Sequence, residues 1–145
     1  ANDMVAKAYV SGVPMGADLS AGDISAKPSF LAYAAKDPDG QKLEALHLIK
    51  GWIDGEGSMN AQVIPVASAE TGADSLCQVY TDNNFDPTQS AYYYLRAVEP
   101  ETARWHTYDC EAIAEADRPE VCTNGAYPQT VREMAWTSPI WYQGQ

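Results

Sequence analysis

Leu43-Glu44-Ala45-Leu46-His47-Leu48-Ile49-Lys50-Gly51-Trp52-Ile53 is the stretch whose reading decides the class of fold. Successive residues of a strand point to opposite faces of its sheet. The odd-numbered face here carries Leu43, Ala45, His47, Ile49 and Ile53, and the even-numbered face Leu46, Leu48 and Trp52. Apolar groups on both faces predict a central strand, covered on each side. His47, inside it, reads as a hydrogen-bonded sheet residue rather than a catalytic base.

Turn signals and further strands flank this segment. Phe30–Ala35 is a short apolar run stopped by Asp37-Pro38-Asp39-Gly40. Asp54-Gly55-Glu56-Gly57 predicts a hairpin onto Ala61–Ala67, with Pro65 best placed on an edge. Leu76–Thr81 is the next strand, residues 82–88 a loop, and Ser90–Glu99, with its tyrosine triplet, the clearest strand of all. Asp109–Asp117, rich in Ala and Glu, predicts a helix. Thr130–Tyr142 predicts a last strand interrupted at Pro139. At the start, Asn2–Ser11 reads as a short helix or extended lead-in, and residues 17–28 as a surface loop or strap. About six strands spaced by turns point to a mainly β, single-domain β-sandwich, with immunoglobulin-like topology as a further expectation. The expected division is a lead-in over 1–28 and the sandwich over 29–145.

The chain has 145 residues and a formal net charge of −11, from nine basic and twenty acidic side chains. That size buries a real core. A nucleic-acid partner needs a basic stripe, and the sequence has none; the same field repels anionic lipid. No apolar run reaches the length of a membrane span, so membrane insertion is not expected. The chain begins at Ala1 without a methionine, which suggests either an upstream segment removed or a piece of a longer protein. Cys110 and Cys122 are spaced for a disulfide in an oxidising compartment; in a reducing one, they and Cys77 would be free thiols.

Residues with chemistry are sparse. His47 and His106 are far apart, and a dinuclear metal hydrolase needs several convergent ligands. No nucleophile elbow or phosphate loop is present. No catalytic residue and no cofactor are therefore assigned to this chain. Two oxygen-rich loops, with Asp37 and Asp39 in one and Asp82 and Asp86 in the other, resemble calcium loops, although turn chemistry alone accounts for them. Trp52, Trp105, Trp136, Trp141 and Tyr142 are candidates for a sugar-stacking platform, with core filling as the competing account. His106, after Arg104-Trp105, is placed for a surface pocket. Arg96 and Arg104 are placed to bind an anion, with a salt bridge the cheaper explanation in so acidic a chain.

Several segments, in order, carry a resemblance. They are Gly12-Val13-Pro14-Met15-Gly16-Ala17-Asp18-Leu19, Pro28-Ser29-Phe30-Leu31, Lys36-Asp37-Pro38-Asp39-Gly40 and Ile49-Lys50-Gly51-Trp52. Further on come Asp86-Pro87-Thr88-Gln89-Ser90-Ala91-Tyr92-Tyr93-Tyr94-Leu95-Arg96, Arg104-Trp105-His106-Thr107-Tyr108-Asp109 and Arg132-Glu133-Met134-Ala135-Trp136-Thr137-Ser138-Pro139-Ile140-Trp141-Tyr142. Over nearly its whole length the chain resembles the C-terminal part of a bacterial family, domain of unknown function 3604. The resemblance implies a periplasmic or secreted parent protein with an upstream region similar to PHP-type metal-dependent hydrolases, whose divalent metal would lie in that upstream part. Asp18 would then face a site contributed mostly from upstream, although an Asx side chain tying down its own loop is the simpler account.

The leading expectation is a non-catalytic accessory or interaction domain that packs on the hydrolase-like region of the same polypeptide or mediates homo-oligomerisation. A carbohydrate- or small-ligand-binding sandwich is the alternative, with Asp18, Trp52, Arg104, Trp105, His106 and Trp141 as candidate binding residues. An independent hydrolase ranks last.

Overall fold

A computed structural model describes residues 2–20 and 27–144. Part of the loop expected over 17–28, residues 21–26, lies outside the described residues. The described chain runs α1 (Asn2–Ser11), β1 (Asp18–Leu19), β2 (Ser29–Ala35), β3 (Leu43–Ile53), β4 (Met59–Ala73), β5 (Ser75–Thr81), β6 (Ala91–Ala103), α2 (Trp105–Ala112), β7 (Thr130–Trp136) and β8 (Ile140–Tyr142). Six strands form one sheet in the order β1-β8-β6-β3-β4, with β7 also on β6. β2 and β5 pair antiparallel as a second sheet. The fold is mainly β and of sandwich type. Its strands divide six against two, not four against three as in an immunoglobulin constant domain.

β3 sits between β4 and β6, as its two-sided apolar pattern requires. Its even-numbered face meets the small sheet: Leu48 clusters with Ile64, Ala91, Tyr93 and Phe30. Phe30 on β2 and Tyr93 on β6 bring their ring centroids to 4.5 Å, which marks where the sheets touch. Leu46, on the same face, is fully buried. Its odd-numbered face, with Ala45 and Ile49 buried, is the outer one.

Both internal prolines of the larger sheet fall where a missing N–H does least harm. Pro65 lies on the edge strand β4 at a register shift, and Pro100 lies on β6 within the shift between Val98 and Glu101. Pro139 splits the expected last strand in two. β7 and β8 lie end to end along one edge of β6, and Thr137 bridges the break through both its N–H and its hydroxyl to Leu95. β1 adds parallel to β8, held by Gly16 N–H to Pro139 and Trp141 N–H to Ala17. Part of the lead-in is thus built into the larger sheet.

The helix expected at 109–117 is displaced. α2 starts at Trp105, and only a single 3-10 turn covers Glu115–Asp117. The Ala and Glu content located the helical region but not its start, because Arg104, the residue before it, offers no side-chain cap.

Candidate functional site

Between β6 and β7 the chain leaves the sandwich for residues 104–129. Local bonds hold this excursion at its base: Arg104 N–H donates to the Gln129 carbonyl at 2.9 Å, and the Thr107 hydroxyl donates to the same carbonyl at 2.6 Å. Cys110 of α2 and Cys122 are joined as a disulfide with Cα atoms 5.7 Å apart. Arg118 Nε donates to the Ile113 carbonyl and tightens the turn between them.

The excursion folds around a half-open recess of about 490 Å³. Arg104, Trp105, His106 and Tyr127 line it, with Asp109 and the disulfide. The His106 ring stands edge-on to Trp105, at 5.7 Å between centroids, and to Tyr127, at 6.3 Å. Its Nε2 is shut off from solvent and has no hydrogen-bond partner among the described residues. Trp105 is 76% and Tyr127 58% exposed, although both are large rings. Among the described residues the Arg104 guanidinium takes part in no salt bridge. Three candidates adjacent in sequence thus share one wall. Tyr127 and Asp109, which complete the recess, were missed. The turn sequence Asn124-Gly125-Ala126-Tyr127-Pro128, just past the second cysteine, was the available signal for the former.

The remaining candidates lie elsewhere. Trp52 packs against the inter-sheet core, with the Lys50 ammonium 5.4 Å from its ring centroid. Trp141 is on the outer face of the larger sheet, near the start of β6, with Asp18 as its register partner on β1. From that row to the recess, twelve residues of β6 at ~3.3 Å each place the two groups roughly 35–40 Å apart along the strand. Asp18 borders a separate shallow recess at the sheet edge with Ser20 and Gln143.

In both calcium-like loops a lysine ammonium donates to loop oxygens. Around residues 37–40, the Lys36 ammonium donates to the carbonyls of Asp37, Pro38 and Gly40 at 2.7, 2.7 and 3.1 Å. The Asp37 carboxylate accepts the N–H of Asp39. In the second loop the Lys50 ammonium donates to Asp82 Oδ2 at 2.6 Å and to the Asn84 carbonyl at 3.1 Å. Asp86 accepts from the Thr88 N–H and hydroxyl. No group of three or more His, Cys, Asp or Glu among the described residues is placed to hold a metal ion.

The Lys50–Asp82 pair is buried between the sheets, with side-chain exposures of 8% and 2%. The Tyr93 hydroxyl donates to the same Asp82 oxygen at 2.8 Å, and Asn84 N–H to the other at 2.9 Å. Burial, the hydrogen bond to Asp82 and its negative charge push the Tyr93 phenol far above its ordinary range, so it remains a donor. The cluster pins the 82–86 loop to β3 and β6. A carboxylate with three donors is well placed as an anchor and poorly placed as a base.

The outer face of the larger sheet carries a row of rings. A Cβ on Gly51 would collide with the Tyr92 ring, so glycine is what lets Tyr92 lie flat across β3. Tyr92 stacks on Tyr94 with centroids 6.3 Å apart and planes at 9°, and meets Trp141 at 5.6 Å. Further along the same face, Arg96 Nη2 donates to His47 Nδ1 at 3.1 Å. That contact fixes a neutral imidazole with its proton on Nε2, and burial with the Arg96 charge holds His47 below its ordinary pKa. Trp136, the register partner of Arg96, is 60% exposed.

Taken together, these features define a β-sandwich domain distinguished by two aromatic surfaces, one on an open sheet and one in a disulfide-clamped recess. The chain belongs to the family described as Protein of unknown function (DUF3604), which it matches over residues 1–71 and 67–144. No curated protein and no solved structure gives a match.

Proposed function

We propose that this chain is a non-catalytic accessory domain of a longer, secreted, hydrolase-like polypeptide, and that it docks on the upstream region through the outer face of its larger sheet. The observation that carries this reading is the ring row Tyr92, Tyr94 and Trp141 on the sheet face turned away from the β2–β5 sheet, flanked by exposed Val63 and Met59 of β4. Such a continuous apolar surface is a typical interaction site. It lies beside β1, where the N-terminal segment enters the sheet. α1 adds to it in kind: Tyr9 and Val10 are 73% and 88% exposed, and a ten-residue helix is marginal in water without something to pack on.

The reading is tested by comparing amide hydrogen exchange of this chain alone with that of the full-length polypeptide. Slower exchange in α1 and β8 within the longer protein supports docking there, and identical exchange overturns it. Assays of both proteins with divalent metals on phosphate, sulfate and carboxylate esters test the non-catalytic part. Activity of the longer protein alone is expected, and turnover by this chain would overturn the reading.

A further inference from the structure

We infer that the recess of the 104–129 excursion binds a neutral saccharide of one or two sugar units, independently of the docking face. Its volume of about 490 Å³ falls within the usual range for small-molecule sites. The lining supplies the two kinds of surface a sugar presents. Trp105 and Tyr127 offer largely exposed rings for the C–H side of a pyranose. Arg104 and Asp109 offer polar groups for its hydroxyls.

The state of those polar groups is the stronger argument. Among the described residues the Arg104 guanidinium has neither a salt bridge nor a side-chain hydrogen bond. The Arg104 guanidinium, half-exposed on the recess wall, is therefore free to donate to a ligand. The Arg104 guanidinium only donates, and the Asp109 carboxylate accepts. Each sugar hydroxyl both donates and accepts, and a mixed lining of this kind suits vicinal hydroxyls.

Charge selects neutral over acidic sugars. Within 104–129 the chain carries Asp109, Glu111, Glu115, Asp117 and Glu120 against Arg104 and Arg118. That field, added to a net charge of −11, opposes a phosphate or carboxylate ligand. The disulfide and the Thr107–Gln129 bond hold the walls in place before binding, which reduces the ordering cost of association.

The test is saturation-transfer NMR on the intact chain with glucose, galactose, mannose, N-acetylglucosamine, cellobiose, maltose and lactose at millimolar concentration. Glucuronate and phenylacetate serve as acidic comparators. Transfer to at least one neutral sugar is expected, with affinity falling about tenfold in Trp105→Ala and in Arg104→Gln. Trp105 is largely exposed, so its variant should keep the parent unfolding midpoint, which separates loss of binding from loss of fold. Absence of transfer from every neutral sugar overturns the inference. Preferential binding of glucuronate or phenylacetate, or neutral-sugar binding unchanged in both variants, overturns it equally.

Discussion

Asp82 receives the Lys50 ammonium and the Tyr93 hydroxyl in a buried region and the Asn84 N–H at its part-buried rim. A single deletion there leaves a charge without its partner. Lys50→Met should cost about 3–5 kcal/mol in urea unfolding, because Asp82 is then buried and uncompensated. Tyr93→Phe should cost about 1.5–3 kcal/mol, the usual worth of a hydrogen bond to a charged group. A Lys50→Met, Asp82→Leu double variant should recover much of the first loss; strict additivity would show that the two side chains are not coupled. His47 gives a separate pH signature. Its folded pKa lies below the unfolded value of about 6.5, so the native state resists protonation. Stability is therefore full above that value and declines as pH falls through it. Asp54 and Asp86 act in a lower window: Asp54 is held down chiefly by the Ser58 N–H and Asp86 by the Thr88 hydroxyl. Their contribution is present above the ordinary carboxylate value of 3.8 and lost as pH falls below it. Urea midpoints measured from pH 7.5 to 5 should fall in the parent and flatten in His47→Gln; equal slopes would remove His47 from the account.

Gly51 and Tyr92 show how one element depends on another across a strand pair. Gly51→Ala drives a methyl into the Tyr92 ring and should cost about 1–3 kcal/mol by overpacking. In a Tyr92→Ser background the same change should cost much less, and an undiminished cost would mean that the ring is not what excludes a side chain. The 104–129 excursion makes the complementary case. Its disulfide closes a sequence separation of 12, for which loop entropy predicts a stabilisation of about 3 kcal/mol. Cys110→Ser, Cys122→Ser should lower the urea midpoint and speed amide exchange in α2 more than in β3. Most strands were legible in the sequence because alternation and turn residues are local signals: β3, β5 and the Pro139 break follow from spacing alone, whereas β1 falls in the loop expected over 17–28 and β4 runs on to Ala73, past the expected Ala67. Their allocation six against two was not legible, because nothing local tells Leu76–Thr81 to pair with β2 rather than extend the larger sheet. Arg104, Trp105 and His106 were legible as a group through adjacency. Tyr127 was not, since it joins them only after the chain has folded back between Cys122 and β7. Lys36 stands beside its oxygen-rich loop in the sequence, whereas Lys50 reaches residues 82–84 only once β3 has folded against them.

At the scale of the whole molecule, an uneven sandwich and a one-signed charge pull in opposite directions. Two strands cannot cover both faces of a six-stranded sheet, so the outer face keeps Tyr92, Tyr94, Trp141 and Trp136 in reach of solvent. Surface of that kind favours association, while a net charge of −11 opposes contact between like copies. Salt shifts the balance, because the Debye length falls from about 30 Å at ~0.01 M to about 3 Å at ~1 M. The isolated chain should therefore sediment as a monomer at low ionic strength and associate reversibly at high ionic strength. Trp141→Gln with Trp136→Gln should suppress that association without changing the recess 104–129, whose sugar binding then serves as an internal check of folding. A chain that stays monomeric at every salt concentration would show that the ring row is not adhesive, and docking through the outer face would lose its physical basis. Association that survives both substitutions would relocate the contact, with the exposed Tyr9 and Val10 of α1 as the next surface to alter.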